Sequence, residues 1–438
     1  MALKRGMAWA VGVWSALAMS ACRCAVSEFE TDLGTVVVED AGPPVRVTTT
    51  GCWAPPVVVA DVASLWSAIT VLPSGDALVL WYDFAGLSSR VLFLDGGMSP
   101  TSTLDRTGPR EALEAVQLEG HEKPAAIWVH RHDAGATREV VLARFDPDGG
   151  WAPAERLDEA AKIEHVAVGV DRAGQITAAW LRGDVDTTLV TRRSNGSGWF
   201  DPERLTLTGS LVPPALRVSA DGLAVLGWGW SRPWANEAYT EASVWSGGVR
   251  SHGIVSAGRA SVDPPALAVE GRRAVMLTSA LPNDLALARL DEGRWVTAKV
   301  DAGGVFLSDV NVGFNQAHEA SAWMLLRTEA GGTQWWLGTT VESDAGWSPL
   351  ALEPLTGTPR QLRVVTNERG HVVASWADDD ALVVRRPGQA ADDVLSGLVS
   401  LRYLSLSPPT VAIGPSGATW LLAIENEAPM RLLALRCQ

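Results

Sequence analysis

Val166-Ala167-Val168-Gly169-Val170-Asp171-Arg172-Ala173-Gly174 leads directly into Gln175-Ile176-Thr177-Ala178-Ala179-Trp180. After a polar loop comes Leu189-Val190-Thr191-Arg192-Arg193, and Gly198-Trp199 then opens Phe200-Asp201-Pro202-Glu203-Arg204-Leu205. The runs are short, rich in Val, Thr and Trp, and bounded by Asp/Gly turn chemistry, so they predict four consecutive β-strands rather than helices.

The same grammar recurs along the chain. A Gly stands six residues before a Trp at Gly75/Trp81, Gly174/Trp180, Gly222/Trp228 and Gly370/Trp376. Trp128 and Trp323 fill the Trp position without the Gly, and Thr278 and Ala423 occupy it in two weaker copies. A second mark, a small residue followed by Trp, falls at Trp151, Trp199, Trp295 and Trp347, with Met98 and Val249 standing in for it in two copies. Eight units of about 48 residues with four strands each fit the blades of a β-propeller. Tandem immunoglobulin-like domains would need about 100 residues per unit. The chain therefore predicts an all-β fold, a single propeller of eight four-stranded blades over residues 52–438.

The Trp position lies in second-strand runs that are apolar on both faces, such as Ala77-Leu78-Val79-Leu80-Trp81 and Val372-Val373-Ala374-Ser375-Trp376. A Trp there buries about 150–250 Å² against the next blade, a gross gain of about 4–6 kcal/mol before entropy. The stripe reads as packing and not as a binding surface.

The ring is expected to close through its ends. The eighth copy, from Pro409 to Cys437, stops after three strands, while Gly51-Cys52-Trp53-Ala54-Pro55-Pro56-Val57-Val58-Val59 is a fourth strand without the first three. The N-terminal strand should complete the last blade and so remove the exposed edge of an open array. That places Cys437 and Cys52 at one hairpin end, close enough for a disulfide, the alternative being two buried thiols.

Ahead of the blades, Lys4 and Arg5 precede the uncharged, mostly apolar run Met7 to Ala21, which suits a signal-peptide core. It ends Leu17-Ala18-Met19-Ser20-Ala21-Cys22, which resembles the lipobox of bacterial lipoproteins. The resemblance implies cleavage after residue 21 and lipid attachment at Cys22; the alternative is an ordinary secretory signal with Cys22 unmodified. Residues 22–51, with acids, a Pro pair and a Thr run, read as a flexible tether, and Cys24 is left over within it. Arg23 follows the cysteine where an inner-membrane retention signal would carry Asp, so the expected location is the bacterial cell envelope at the outer membrane. The membrane would be engaged through the lipid only.

Composition narrows the function classes. The chain has 438 residues, 47% hydrophobic and 20% charged, so a large core can be buried. The net charge of −14 argues against nucleic acid as a partner. The four cysteines exclude a disulfide-dense scaffold. The sequence carries no phosphate-binding glycine loop, nucleophile elbow or zinc spacing, and no cofactor or catalytic residue is assigned from it.

The third-to-fourth strand turns Asp146-Pro147-Asp148-Gly149-Gly150-Trp151 and Ser343-Asp344-Ala345-Gly346-Trp347 are similar to degenerate Asp boxes of the sialidase-like propellers. That family's enzymes require an arginine triad and a Tyr–Glu pair. The usual Arg-Ile-Pro motif is absent here, and the three tyrosines, Tyr82, Tyr239 and Tyr403, have no evident partner. The resemblance implies the fold and not the activity.

Ligands of propellers usually meet the face formed by second-to-third strand loops. Here those loops hold Asp83; His130, Arg131, His132 and Asp133; Arg182, Asp184 and Asp186; Asn283 and Asp284; Arg327 and Glu329; Asp378, Asp379 and Asp380; Glu425, Asn426 and Glu427. They read as solvated loop tips, the sharper alternative being a cation or polyol site at the central mouth. The fourth copy has the most unusual loop, where Trp230, Trp234 and Tyr239 exceed the blade pattern beside Arg232 and Asn236. These five are the candidate ligand- or partner-binding residues, against the alternative of a loop folded over its own aromatics. The functional expectation is a monomeric envelope propeller that binds an envelope protein or glycan without catalysis; the alternative is a degenerate carbohydrate-active enzyme or glycan-binding protein.

Overall fold

Each repeat folds as predicted into one antiparallel sheet. The computed structural model describes residues 52–437 except 61–65, 84–85, 107–111, 121, 132–136, 184–186, 197, 208–209, 233–236, 259–263, 282–283, 302–305, 329–332, 344–345, 379–380, 387–391, 397, 400–409 and 426–430. Every described element is a strand, and the strands form eight sheets.

Blade 1 comprises Trp66–Val71, Ala77–Asp83, Gly86–Leu92 and Ser102–Arg106. Blade 2 is built on Ala112–Glu119, Ala125–Arg131, Arg138–Asp146 and Glu155–Ala160, and blade 3 on Ile163–Val170, Ile176–Gly183, Thr187–Arg193 and Glu203–Leu207. Blade 4 carries Ala215–Val218, Ala224–Arg232, Glu237–Ser246 and Val249–Gly258, and blade 5 Ala266–Glu270, Arg273–Leu281, Asp284–Asp291 and Arg294–Asp301. Blade 6 holds Phe306–Phe314, Ala320–Thr328, Gln334–Ser343 and Ala351–Leu355, and blade 7 Pro359–Thr366, Val372–Asp378, Ala381–Arg385 and Asp393–Ser396. Blade 8 has Thr410–Ile413, Thr419–Glu425 and Leu432–Cys437, and takes its fourth strand, Val57–Ala60, from the start of the body.

The first strands of successive blades lie side by side, and the first strand of blade 8 meets that of blade 1, so the sheets close into an eight-bladed β-propeller. Closure follows the predicted register. Val57 pairs with Ala434 and Val58 with Leu433, Trp53 bridges to Cys437, and a disulfide joins Cys52 to Cys437 with a Cα–Cα distance of 5.0 Å.

The core is distributed between blades because every second strand is sandwiched. All seven residues of Ala77–Asp83 are buried, and Trp128, Trp180, Trp228 and Trp376 are among the largest fully enclosed side chains. The first-to-second strand turns need a left-handed residue, and Gly370, at φ 71°, shows why it is glycine: a Cβ there would strike the backbone of Asn315 and Gln316 in blade 6.

The two faces of the ring differ. One carries the first-to-second and third-to-fourth strand turns; the other carries the second-to-third strand hairpins. The Cys52–Cys437 bridge sits at a third-to-fourth strand end and so belongs to the first face.

Candidate functional site

The blade 4 hairpin puts Trp230 directly opposite Tyr239, so both side chains project from the same face of the sheet. Their rings stack with centroids 4.7 Å apart, and Trp230 Nε1 donates to Glu241 Oε1 at 3.0 Å. Below them Trp228 stacks on His252, whose Nε2 lies 3.6 Å from Glu241 Oε2. Trp230 and Tyr239 are thus brought together as a half-buried pair. Trp234 and Asn236 lie outside the described residues, and of Arg232 only the backbone is described.

Two described polar residues of the hairpin face pin neighbouring blades together. His130 Nδ1 lies 2.9 Å from Asp105 Oδ2, and Arg182 Nη1 donates to Asp158 Oδ1 at 3.0 Å, each reaching the fourth strand of the preceding blade. Asp378 accepts the Thr358 amide, and the Arg327 guanidinium lies over the Trp335 ring. Asp83 is buried. His132, Asp133, Asp184, Asp186, Asn283, Glu329, Asp379, Asp380, Asn426 and Glu427 lie outside the described residues. Among the described residues no group of three His, Cys, Asp or Glu is arranged to hold a metal ion.

The first strands and their turns enclose a central channel of about 1170 Å³. Its charged residues form layers. At the turn face, Arg172 of blade 3 reaches across the ring to Glu368 of blade 7, with Nη2 2.6 Å from Oε2, and also approaches Glu122 of blade 2 at 3.4 Å. The attraction of Glu368 is the main reason the Arg172 pKa lies above its usual value. Beside them His318 Nδ1 lies 3.1 Å from Glu270 Oε1.

One layer inward, Arg217 Nη1 binds Glu119 Oε1 at 3.3 Å and the Leu216 carbonyl at 2.9 Å. Further from the turn face, Arg363 and Asp309 also line the channel. Arg363 is an exposed residue of the channel wall; partial desolvation lowers its pKa, nearby Asp309 opposes this and Arg217 adds to it.

The sequence reading missed both the channel arginines and the carboxylates that pin the blades. The arginines had a signal: Leu216-Arg217-Val218 and Leu362-Arg363-Val364 place the same charged residue between two apolar neighbours in a first strand. The carboxylates also had one. Asp105 follows Met98, and Asp158 follows Trp151, by seven residues, in both cases counting from the second repeat mark.

A closed ring of eight four-stranded sheets around a polar channel defines the chain as an eight-bladed β-propeller. No protein-family model matches it, and no curated protein sequence does. Solved propellers do. The WD40 domain of SCAP from fission yeast is 9% identical, with a TM-score of 0.50, over 87% of this chain and 98% of that one. The β-propeller domain of the Trilobed protease from Pyrococcus furiosus is 10% identical with a TM-score of 0.44, covering 75% of this chain and 97% of that one. An α-L-arabinanase of Penicillium chrysogenum, solved with arabinobiose, is 11% identical with a TM-score of 0.43 over 63% of this chain and 93% of that one. At such identities the likeness concerns the fold alone.

Proposed function

We propose that this chain is an exported bacterial lipoprotein, anchored at Cys22, whose propeller serves as a binding platform in the cell envelope. One observation carries the reading. The Cys52–Cys437 bridge ties the start of the body to the turn face. Such a bond persists in oxidising compartments outside the cytosol, which is where an exported chain resides. The blade 4 hairpin is the contact surface in this reading, with Trp230 and Tyr239 as a stacked base and Arg232, Trp234 and Asn236 as further contacts for an envelope protein or glycan. The Asp-box likeness of the third-to-fourth strand turns belongs to the same proposal and supplies architecture, not catalysis. The channel carboxylates Glu119, Glu122 and Glu368 each face an arginine and Glu270 faces His318, which suits counterions better than an acid–base pair.

The test is in two parts. Metabolic labelling with a radioactive fatty acid should mark the wild-type chain and leave Cys22→Ala unlabelled and in the soluble fraction; label retained in Cys22→Ala would overturn the anchor. Glycan-array and envelope-extract binding should be lost together in the Trp230→Ala, Trp234→Ala double variant. An unchanged binding profile would reject the hairpin as the contact surface.

A further inference from the structure

We propose that the Cys52 sulfur is a thiol–disulfide exchange site, open to a low-molecular-weight thiolate from solution, and that Arg386 holds the Cys52 thiolate which the exchange releases. The inference rests on the closure of the ring and stands whether or not the chain is lipidated.

Three observations converge on this sulfur. The first is access. Cys52 is exposed, whereas Cys437 is only 3% exposed, so an incoming thiolate meets the Cys52 end of the bridge. The second is the charge beside it. Arg386, which follows the third strand of blade 7, places Nη1 3.1 Å from Cys52 Sγ, and its Nη2 is buried with no hydrogen-bond partner among the described residues. A cation in contact with a cysteine sulfur favours the thiolate over the thiol. Asp393 opposes this, with Oδ2 3.4 Å from the same Nη1, but that oxygen also accepts the Trp53 indole at 3.0 Å, and Cys52 is the nearer of the two to the guanidinium. Arg436, next to Cys437 in the chain, lies over the Trp420 ring.

The third observation is pre-organisation. The Arg386 guanidinium lies over the Trp53 ring, 5.5 Å from its centroid. The same stack joins Arg144 of blade 2 to Trp199 of blade 3 at 5.6 Å, so it belongs to the repeat and fixes the arginine without help from the sulfur. What differs is the residue before the Trp, Gly198 there and Cys52 here. The closure thus sets a cysteine where the repeat already holds a guanidinium. Reduction leaves that arrangement standing, because the Ala54 amide donates to the Arg436 carbonyl and Val57 pairs with Ala434.

In the exchange a thiolate attacks Cys52 Sγ. A mixed disulfide with Cys52 forms as the bridge breaks, and the electron pair leaves on Cys437, which takes a proton from solvent. A second thiolate attacks the outer sulfur of the mixed disulfide, releases the oxidised thiol pair and leaves the Cys52 thiolate beside Arg386. Two thiols are oxidised and the bridge is reduced by two electrons. Stabilising that thiolate favours the open bridge, so less reductant is needed to open it.

The test uses the purified full chain and reduced glutathione, followed by pulses of iodoacetamide at a series of pH values, with each cysteine read by peptide mass. The glutathione adduct should be trapped at Cys52 and not at Cys437, in a chain that remains folded. After full reduction, Cys52 should be alkylated with a midpoint below the ordinary thiol value of about 8.5. Arg386→Met should raise that midpoint, slow Cys52 alkylation at neutral pH by about threefold or more, and require correspondingly more glutathione to open the bridge. Arg386→Lys, which keeps the charge, should recover most of the shift. Arg144→Met removes the equivalent stack far from the sulfur and should leave the Cys52 profile as in wild type. Four results would overturn the proposal: a bridge that opens only in the unfolded chain, an adduct at Cys437, a Cys52 midpoint unchanged by Arg386→Met, or a midpoint moved as far by Arg144→Met.

Discussion

The indole Nε1 of Trp128 donates to Asp105 Oδ2 at 2.7 Å, and in doing so fastens blade 2 to the outermost strand of blade 1. The same bond recurs one blade on, where Trp180 Nε1 donates to Asp158 Oδ2 at 2.8 Å. At the ring closure Trp53 Nε1 reaches Asp393 Oδ2 at 3.0 Å. Where the repeat has Thr278 in place of the Trp, its hydroxyl meets Ser256 at 3.0 Å, so the contact survives with both partners shortened. The Trp stripe is packing with a polar latch, because a buried indole N–H needs an acceptor.

Removing the acceptor should therefore weaken the ring more than its partly buried position suggests. Asp105 serves Trp128 and His130 together, so Asp105→Ala leaves two buried groups without their shared partner. A loss of about 1–3 kcal/mol is expected, read from the midpoint of urea unfolding. Asp158→Ala should behave alike through Trp180 and Arg182. Trp228 supplies the contrast, since its buried Nε1 has no acceptor among the described residues. Trp228→Phe should then cost less than Trp128→Phe. Equal losses for the two would mean the latch contributes nothing beyond ring packing.

The covalent closure should dominate the stability of the free chain. Cys52 and Cys437 are 385 residues apart, so the bond restricts nearly the whole unfolded body, and the chain-entropy account gives about 6 kcal/mol. Reduction, or Cys52→Ser with Cys437→Ser, should lower the unfolding midpoint by a matching amount. The pairing of Val57 with Ala434 and Val58 with Leu433 should persist, because main-chain bonds and not the sulfurs hold that register. A midpoint unmoved by reductant would show that the hydrogen-bonded strand alone closes the ring.

The blade count, the closure and the disulfide were legible because they depend on local turn chemistry and on one large side chain repeated at fixed spacing. Gly174 before Trp180 is a statement about φ and burial that any copy of the unit must satisfy. The pins were not legible, because Asp105 and Asp158 lie on outer strands and look solvated until the ring puts the next blade against them. Arg363 was hidden for a further reason. Alternation along its strand cannot tell which way it points, since the bulge after Arg360 resets the alternation, and only closure of eight first strands turns that side into a lumen. At the blade 4 hairpin, sequence marks Trp230 and Tyr239 as surplus to the blade pattern, and their cross-strand pairing follows from register.

One histidine links the ring to pH. His165 sits in the first strand of blade 3, next to a bulge, with φ 49°. The ring is exposed, and partial desolvation lowers its pKa, a tendency that Glu164 opposes and Lys162 reinforces. The unfolded chain, with an ordinary value of about 6.5, takes up the proton more readily than the folded one. Its contribution to stability is therefore complete above that value. It declines as the pH falls from there through the lowered folded value, and levels off below it. His165→Asn removes the titrating group and places at φ 49° a residue that tolerates the left-handed region better. The variant should lose part of the acid-side slope of unfolding free energy between about pH 6.5 and 5 while remaining at least as stable at pH 8. Since the slope and the plateau come from different causes, one titration and the other backbone strain, they can be read separately from denaturation curves collected across that range. An identical slope in both proteins would remove His165 from the acid response.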